Sequence, residues 1–171
     1  MELFLNEKSL GVKNLNADAS PRVWPVPFAP GILKAVARDE NGKVAATDEL
    51  RTAGQPAKII LTTTAKKLST GFDSVAMVRA TIVDAKGITV PRASDLIAFN
   101  VSRNGVIAAV DNGDNTSHEL FQTNSRHAFQ GGCVAFVKAA AASGKITLTA
   151  TAAGLSAAEM SLQISKSKNP R

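Results

Sequence analysis

The feature that most constrains this chain is a period-two alternation of apolar and polar residues near its C-terminal end. Ile146, Leu148 and Ala150 alternate with threonines. Between residues 158 and 165, apolar residues alternate with Glu, Ser and Gln, and an Ala-Gly-Leu segment separates the two stretches. Successive side chains of a strand point to opposite faces, so this pattern predicts an antiparallel hairpin with one buried face.

Shorter stretches of the same kind, bounded by Gly, Pro, Asn and Asp turn signals, precede this hairpin. They predict strands at residues 58–63, 75–84, 96–102, 106–110 and 132–139. No stretch carries a helical stripe of any length. About seven short strands with regular turns indicate an immunoglobulin-like β-sandwich, and the fold class is therefore all-β. Only 5% of the residues are aromatic, so small and β-branched side chains must fill the space between the sheets.

The first third of the chain predicts a second, separate set of strands. These lie at residues 2–6, 10–13, 32–38 and 44–51, with an edge strand at residues 22–28 that contains two prolines. The segment at residues 52–56 (TAGQP) breaks the pattern and is the best linker candidate. We therefore expect two immunoglobulin-like β-sandwich domains in tandem, at residues 1–54 and 57–165, followed by a basic tail at residues 166–171.

The chain enters a strand immediately after Met1, which suggests a fragment of a larger protein with a truncated first domain. A strand that should flank the first sheet would then be missing. Its absence would leave an exposed edge that recruits other chains by strand addition. We expect homo-association through this edge, formed by Glu2, Leu3, Phe4, Leu5 and Asn6.

The densest group of chemically active residues follows the predicted strand at residues 106–110. Within nine residues the chain places an Asn-Gly turn signal, three carboxylates and a histidine. The candidate site residues are Asp111, Asn112, Gly113, Asp114, His118 and Glu119.

This loop is interpreted more readily as architecture than as chemistry. Asp and Asn in turns usually accept bonds from nearby backbone N–H groups, and Asp111 or Asn112 should do so here. The carboxylate spacing does not match an EF-hand calcium loop. Zinc would need more ligands than His118, His127 and Cys133 supply, and Cys133 lies in an apolar run as a small buried residue. We expect no metal and no cofactor.

The net charge of +6 and the pI near 9.7 raise the question of nucleic-acid binding. The Lys and Arg residues are scattered, however, and only the tail from Lys166 to Arg171 concentrates basic charge. Nucleic-acid binding is therefore not expected. No apolar run approaches the roughly 20 residues of a membrane helix, so no membrane span is expected either.

Several phrases in the chain resemble one protein family. Residues 2–6 (ELFLN), 24–28 (WPVPF), 30–37 (PGILKAVA) and 46–54 (ATDELRTAG) are similar to the β-sandwich that follows the catalytic barrel in bacterial glycoside hydrolase family 2 enzymes. Residues 110–114 (VDNGD) and 116–119 (TSHE), with Phe129 and Gly131, resemble the C-terminal immunoglobulin-like domain of the same β-galactosidase-type proteins. The resemblance covers nearly the whole chain, in family order.

The chain departs from the family pattern at two turns. The first hairpin has Asn6-Glu7 where the family usually has Asn-Gly, which weakens the expectation of a tight primed turn. Asn115 stands where a proline commonly follows the Asn-Gly-Asp, which leaves that loop less rigid.

The resemblance also implies that the catalytic machinery lies elsewhere. In the family, two glutamates of an upstream (β/α)8 barrel carry out retaining hydrolysis, which needs carboxylates about 5–5.5 Å apart. None of the six glutamates here lies in that motif. The first hypothesis is therefore a non-catalytic accessory module that supports the barrel or the oligomer, in a bacterial enzyme that is periplasmic or secreted.

Two alternatives stay open at this point. Sandwich modules can bind carbohydrate on exposed aromatic side chains, for which Trp24 and Phe28 are the candidates, although burial among prolines is expected for Trp24. An adhesion-type, invasin-like sandwich is the other alternative, and it is disfavoured by the phrases in the first third of the chain.

Overall fold

The computed structural model describes residues 1–165, which form thirteen strands and no helix. This confirms the all-β class. The predicted basic tail at residues 166–171 lies outside the described residues. The chain divides into two compact units, Met1–Thr52 and a second that begins at Ala53.

The first unit is one antiparallel sheet. Its strands are β1 (Glu2–Leu5), β2 (Lys8–Val12), β3 (Ile32–Arg38) and β4 (Val44–Arg51), in the order β2-β1-β3-β4. Val36 on β3 is the one buried hydrophobic residue among residues 1–52, at 7% exposure. A second sheet is not present within residues 1–52, so membership of a sandwich stays a prediction for this unit.

Two expectations for the first unit are wrong. Residues 22–28 form no strand, because Pro25 and Pro27 have no N–H to donate to a neighbouring strand. Residues 2–6 do not form an exposed edge either. Strand β1 pairs with β2 on one side and β3 on the other, so its backbone groups are already used and the edges are β2 and β4.

The first hairpin is tighter than its sequence suggests. Leu5 pairs with Lys8, and both residues between them, Asn6 and Glu7, have positive φ (49° and 67°). This is the signature of a two-residue primed turn, although Glu stands where glycine is preferred. The Asn6 side chain supports the turn, since its Oδ1 accepts the N–H of Ile32 (2.9 Å) and its Nδ2 donates to the carbonyl of Pro30 (3.0 Å).

The second unit has nine strands in two sheets around one core. The strands are β5 (Lys58–Thr63), β6 (Lys67–Leu68), β7 (Val75–Val83), β8 (Leu96–Val101), β9 (Gly105–Asp111), β10 (Ser125–His127), β11 (Gly132–Ala139), β12 (Gly144–Thr151) and β13 (Ala158–Ile164). One sheet has the order β5-β7-β11-β9 and the other β10-β8-β12-β13-β6. All pairings are antiparallel except β6 with β13.

The core of this unit lies between the two sheets, as the alternation predicts. Every second residue along β7, β11 and β12 is buried, and the inward side chains are small or branched. The largest fully buried apolar side chains are Val78, Ile82, Ile97, Phe99, Val110, Val137, Ile146, Leu148 and Leu162.

Asp84 stabilises both the turn that follows β7 and the start of the second unit. It is 5% exposed, and its carboxylate accepts the backbone N–H groups of Gly54 (2.8 Å), Lys86 and Ile88 (both 2.9 Å). Bonds from Gly54 and Ile88, in that order, hold the pKa of Asp84 below its usual value. The predicted linker residue Gly54 is therefore hydrogen-bonded into the second unit.

Candidate functional site

The candidate loop begins where β9 ends, and its first residues are held by their own side chains. Asp111 Oδ1 accepts the backbone N–H groups of Asn112 (2.7 Å) and Gly113 (3.1 Å), as expected of an Asx turn. Gly113 has a φ of +75°, a conformation that glycine adopts without strain. Asn112 Oδ1 then accepts the N–H of Asp114 (3.0 Å), so each polar side chain supports the next residue of the turn.

Asp114 continues the same pattern further along the loop. Its Oδ1 accepts both the backbone N–H (3.0 Å) and the hydroxyl (2.7 Å) of Thr116. These two bonds, the hydroxyl one first, hold the pKa of Asp114 below its usual value. The carboxylate is therefore a local capping group, ionised at neutral pH, and its bound oxygen faces the loop backbone.

The loop is anchored by Arg126, a residue that the sequence analysis did not select. Arg126 lies on β10 opposite Ile97, and its side chain is completely buried. One guanidinium nitrogen, Nη1, donates to the carbonyl of Glu119 (2.8 Å), and Nη2 donates to Asn112 Oδ1 (3.1 Å). Arg126 thus connects both ends of the loop to the sheet β10-β8-β12-β13-β6.

Two carboxylates and an aromatic ring surround the same guanidinium. Arg126 Nη2 is 3.8 Å from Asp111 Oδ1, and Nε is 3.5 Å from Glu119 Oε2. Nε makes no hydrogen bond, so its contact with Glu119 is an ion contact without hydrogen-bond geometry. The guanidinium carbon lies 5.1 Å from the centre of the Phe121 ring, which is a cation–π distance.

Glu119 connects the loop to His127, not to the neighbouring His118. His127 Nδ1 lies 2.7 Å from Glu119 Oε1, and this hydrogen bond, together with the nearby Arg126, lowers the pKa of Glu119. Asn112 Nδ2 donates to the carbonyl of His127 (2.9 Å), a second link to β10. His118 is exposed and makes no hydrogen bond or ion pair among residues 1–165.

The structure therefore brings five of the six predicted loop residues into one network and leaves His118 outside it. A sequence signal for Arg126 existed. Arg126 is the first Lys or Arg after Arg103. It is therefore the first cation that follows the loop and could pair with the loop's three carboxylates. Within residues 1–165 no group of three His, Cys, Asp or Glu side chains is placed to hold a metal ion. Chemically, the network fixes the loop's shape.

The two aromatic candidates lie in the first unit, in the irregular segment between β2 and β3. Trp24 is half-buried, its indole N–H points to the carbonyl of Gly11 (3.3 Å), and Lys13 Nζ lies 5.4 Å from its ring centre. One ring face is thus occupied by Lys13. Phe28 is 86% exposed. The expectation that Trp24 is buried in a strand is wrong. Trp24 is half-buried, and its segment is a loop held by side-chain contacts.

Two further observations concern the Cys133 thiol as a nucleophile and membrane-spanning helices. Cys133 is buried in β11, where burial raises the pKa of its thiol to about 12. A thiol in this state is a poor nucleophile. Among residues 1–165 there is no helix long and apolar enough to cross a membrane.

Comparison with known proteins matches each part of the chain to a described family. Residues 59–161 match the model of the glycoside hydrolase family 2 C-terminal domain 5, and residues 1–46 match a domain of unknown function (DUF4982). The chain is 43% identical over 155 residues to the β-galactosidase BoGH2A of Bacteroides ovatus. That match covers 91% of this chain and 18% of the relative.

Solved structures agree with the sequence matches. A glycosyl hydrolase family 2 member from Bacteroides cellulosilyticus superimposes with a TM-score of 0.88 at 34% identity, over 96% of this chain and 21% of that one. A β-glycosidase from Bacteroides vulgatus gives a TM-score of 0.85 at 31% identity, over 95% and 21%. The chain thus spans about a fifth of the length of these relatives. It belongs to the C-terminal domain 5 family of glycoside hydrolase family 2 enzymes.

Proposed function

We propose that this chain is the non-catalytic C-terminal part of a longer, β-galactosidase-like glycoside hydrolase, and that it supports the catalytic barrel or the oligomer. The observation that carries the proposal is the 43% identity to a β-galactosidase of which the chain spans only 18%. The complete enzyme would hydrolyse β-glycosidic bonds by a retaining mechanism, with both catalytic glutamates on the barrel. Such an enzyme would work in the periplasm or outside the cell.

The chemistry of the candidate loop supports a non-catalytic role. Retaining hydrolysis needs one carboxyl as acid and a second as nucleophile, both facing the substrate. Here Asp111 and Asp114 accept bonds from the loop backbone, and Glu119 contacts Arg126 and His127. One carboxylate oxygen of Asp111 and one of Asp114, and both oxygens of Glu119, are thus engaged within the loop network, which favours a structural role for these side chains.

The test is turnover by the chain alone. The 171-residue protein, made in a host that lacks its own β-galactosidase, is incubated with 4-nitrophenyl β-D-galactoside. We expect no release of nitrophenol above that of a mock purification. Turnover that follows the protein through several chromatography steps, and that disappears in an Asp111→Asn or Glu119→Gln variant, would contradict the proposal.

A further inference from the structure

The two outer faces of the second unit differ in chemistry. On the sheet β10-β8-β12-β13-β6, the outward residues are mainly hydroxyl, amide and charged side chains, with Leu96 at one end. They include Asn100, Thr147, Thr149, Glu159, Ser161 and Gln163. This composition is typical of a face in contact with water.

The outer face of β5-β7-β11-β9 is apolar over its central strands. Met77 on β7 pairs with Phe136 on β11, and Val75 and Val106 flank Lys138 in the next row. Phe72, just before β7, lies beside this row. We call Phe72, Val75, Met77, Val106 and Phe136 the outer patch. Four of its members are among the exposed large hydrophobics: Phe72 at 92%, Met77 at 51%, Val106 at 47% and Val75 at 38%.

Lys138 lies in the middle of this patch, but its charge is directed to one end. Its Nζ donates to the carbonyl of Phe72 (2.9 Å) and lies 4.8 Å from the centre of the Phe72 ring. The aliphatic part of the side chain therefore remains in the apolar row. In the row beyond Met77, Arg79 is exposed and forms no ion pair among residues 1–165. The patch thus has a cationic border.

A contiguous group of exposed large apolar side chains marks an interaction surface on a soluble protein, and the opposite sheet shows that this fold does not require one. The charges argue against a second copy of the chain as partner. A two-fold dimer through this patch would bring Lys138 and Arg79 of one copy close to the same two cations of the other, on chains that each carry a net charge of +6.

We propose that the outer patch docks on another domain of the same longer polypeptide, on an apolar surface bordered by carboxylates that face Arg79 and Lys138. This rests on the proposed function, since the β-galactosidase relative contains about five times the length of this chain. The second unit would then present its apolar sheet to the rest of the enzyme and its polar sheet to water.

Methionine oxidation tests this directly. Hydrogen peroxide transfers one oxygen atom to the sulfur of an accessible methionine, and mass spectrometry measures the rate at each site. Met77 is compared between the 171-residue chain and the longer polypeptide. Met160, which is half-buried against the core, is the internal standard. We expect Met77 to be oxidised about tenfold more slowly in the longer polypeptide, with Met160 unchanged.

A charge placed on each face gives a matched pair of variants. Met77→Asp should lower the melting temperature of the longer polypeptide but change little in the 171-residue chain, where the side chain is exposed. Ser161→Asp, on the outward face of β13, should be neutral in both. Equal effects of the two variants in the longer polypeptide would contradict the proposal.

Other outcomes identify a different partner or separate this inference from the proposed function. Equal oxidation of Met77 in both proteins, in a longer polypeptide that hydrolyses the galactoside, would overturn the docking surface alone. Protection that is lost when the longer polypeptide is diluted to monomers would place the partner in another subunit and also overturn it. Concentration-dependent dimerisation of the 171-residue chain that protects Met77 would favour a second copy instead.

Discussion

Replacement of Arg126 should be the most damaging single change in the second unit outside its apolar core. The side chain is completely buried and makes hydrogen bonds to Glu119 and Asn112. Removal of one partner from a buried ion pair costs about 3–5 kcal/mol, because the other partner is left uncompensated. The Asp111 and Glu119 side chains are 40% and 33% exposed, so water can partly replace the lost cation. We therefore expect Arg126→Ala to cost about 3 kcal/mol, at the lower end of that range.

The expected change is large enough to measure by thermal and urea unfolding. For a unit of roughly 110 residues, 1 kcal/mol corresponds to about 4 °C, so Arg126→Ala should lower the melting temperature by about 12 °C. Arg126→Met keeps the aliphatic packing and should cost less, about 2 kcal/mol. Far-UV circular dichroism follows the strands. Trp24, the one tryptophan, lies in the first unit, and its fluorescence separately reports that unit.

The matched control is Arg103→Ala, because Arg103 is exposed in the turn between β8 and β9. This change should stay within about 0.5 kcal/mol of the original chain. If Arg126→Ala also stays within that margin, the guanidinium does not anchor the loop and the reasoning is refuted.

Three further predictions concern the same unit. Burial raises the pKa of Cys133 to about 12, so the folded thiol should not react with a disulfide reagent at pH 8. It should react fully once urea unfolds the chain, and reaction at the free-thiol rate in the folded chain would contradict this prediction. Gly131 has a φ of +80°, and an added Cβ would lie 2.5 Å from the carbonyl oxygen of Val90. Gly131→Ala should therefore lower the free energy of unfolding in urea by about 2–3 kcal/mol, and a neutral result would show that the backbone can shift. The hydrogen bond from His127 lowers the pKa of Glu119. The stabilisation from this bond is therefore present above the ordinary pKa of 4.5 and is lost as pH falls through the pKa of the folded chain. His127→Gln should flatten the fall in melting temperature below about pH 4.5, and an unchanged fall in the variant would rule this out.

The sequence predicts the second unit well because one face of nearly every strand is buried. Strands β5 and β11 begin and end where the alternation places them, at Lys58–Thr63 and Gly132–Ala139. A one-residue slip would move every apolar side chain of such a strand into water, so the pattern fixes the position. Strands β6 and β10 were not predicted, since two or three residues are too few to show a period.

The first unit and the anchor of the loop were harder to predict for a different reason. Pairing partners are a non-local property. The residues of β1 do not reveal that β2 and β3 flank them on both sides. The Asx turns at Asp111 and Asn112 were predictable because they are local bonds. Arg126 lies more than ten residues further along, on a strand too short to predict. Its position as the first cation after the loop makes it a candidate in the sequence, but its contacts with Asn112 and Glu119 appear only in three dimensions.

The proposed function requires that this chain stabilises a longer glycoside hydrolase without taking part in its chemistry. The most direct measurement compares the longer polypeptide with a version that lacks the segment described here, by melting temperature and by kcat per titrated active site on a chromogenic β-galactoside. We expect a melting temperature lower by several degrees, with kcat per intact active site unchanged within about twofold. An unchanged melting temperature together with a large loss of kcat per site would contradict it, because residues of this segment would then act in catalysis.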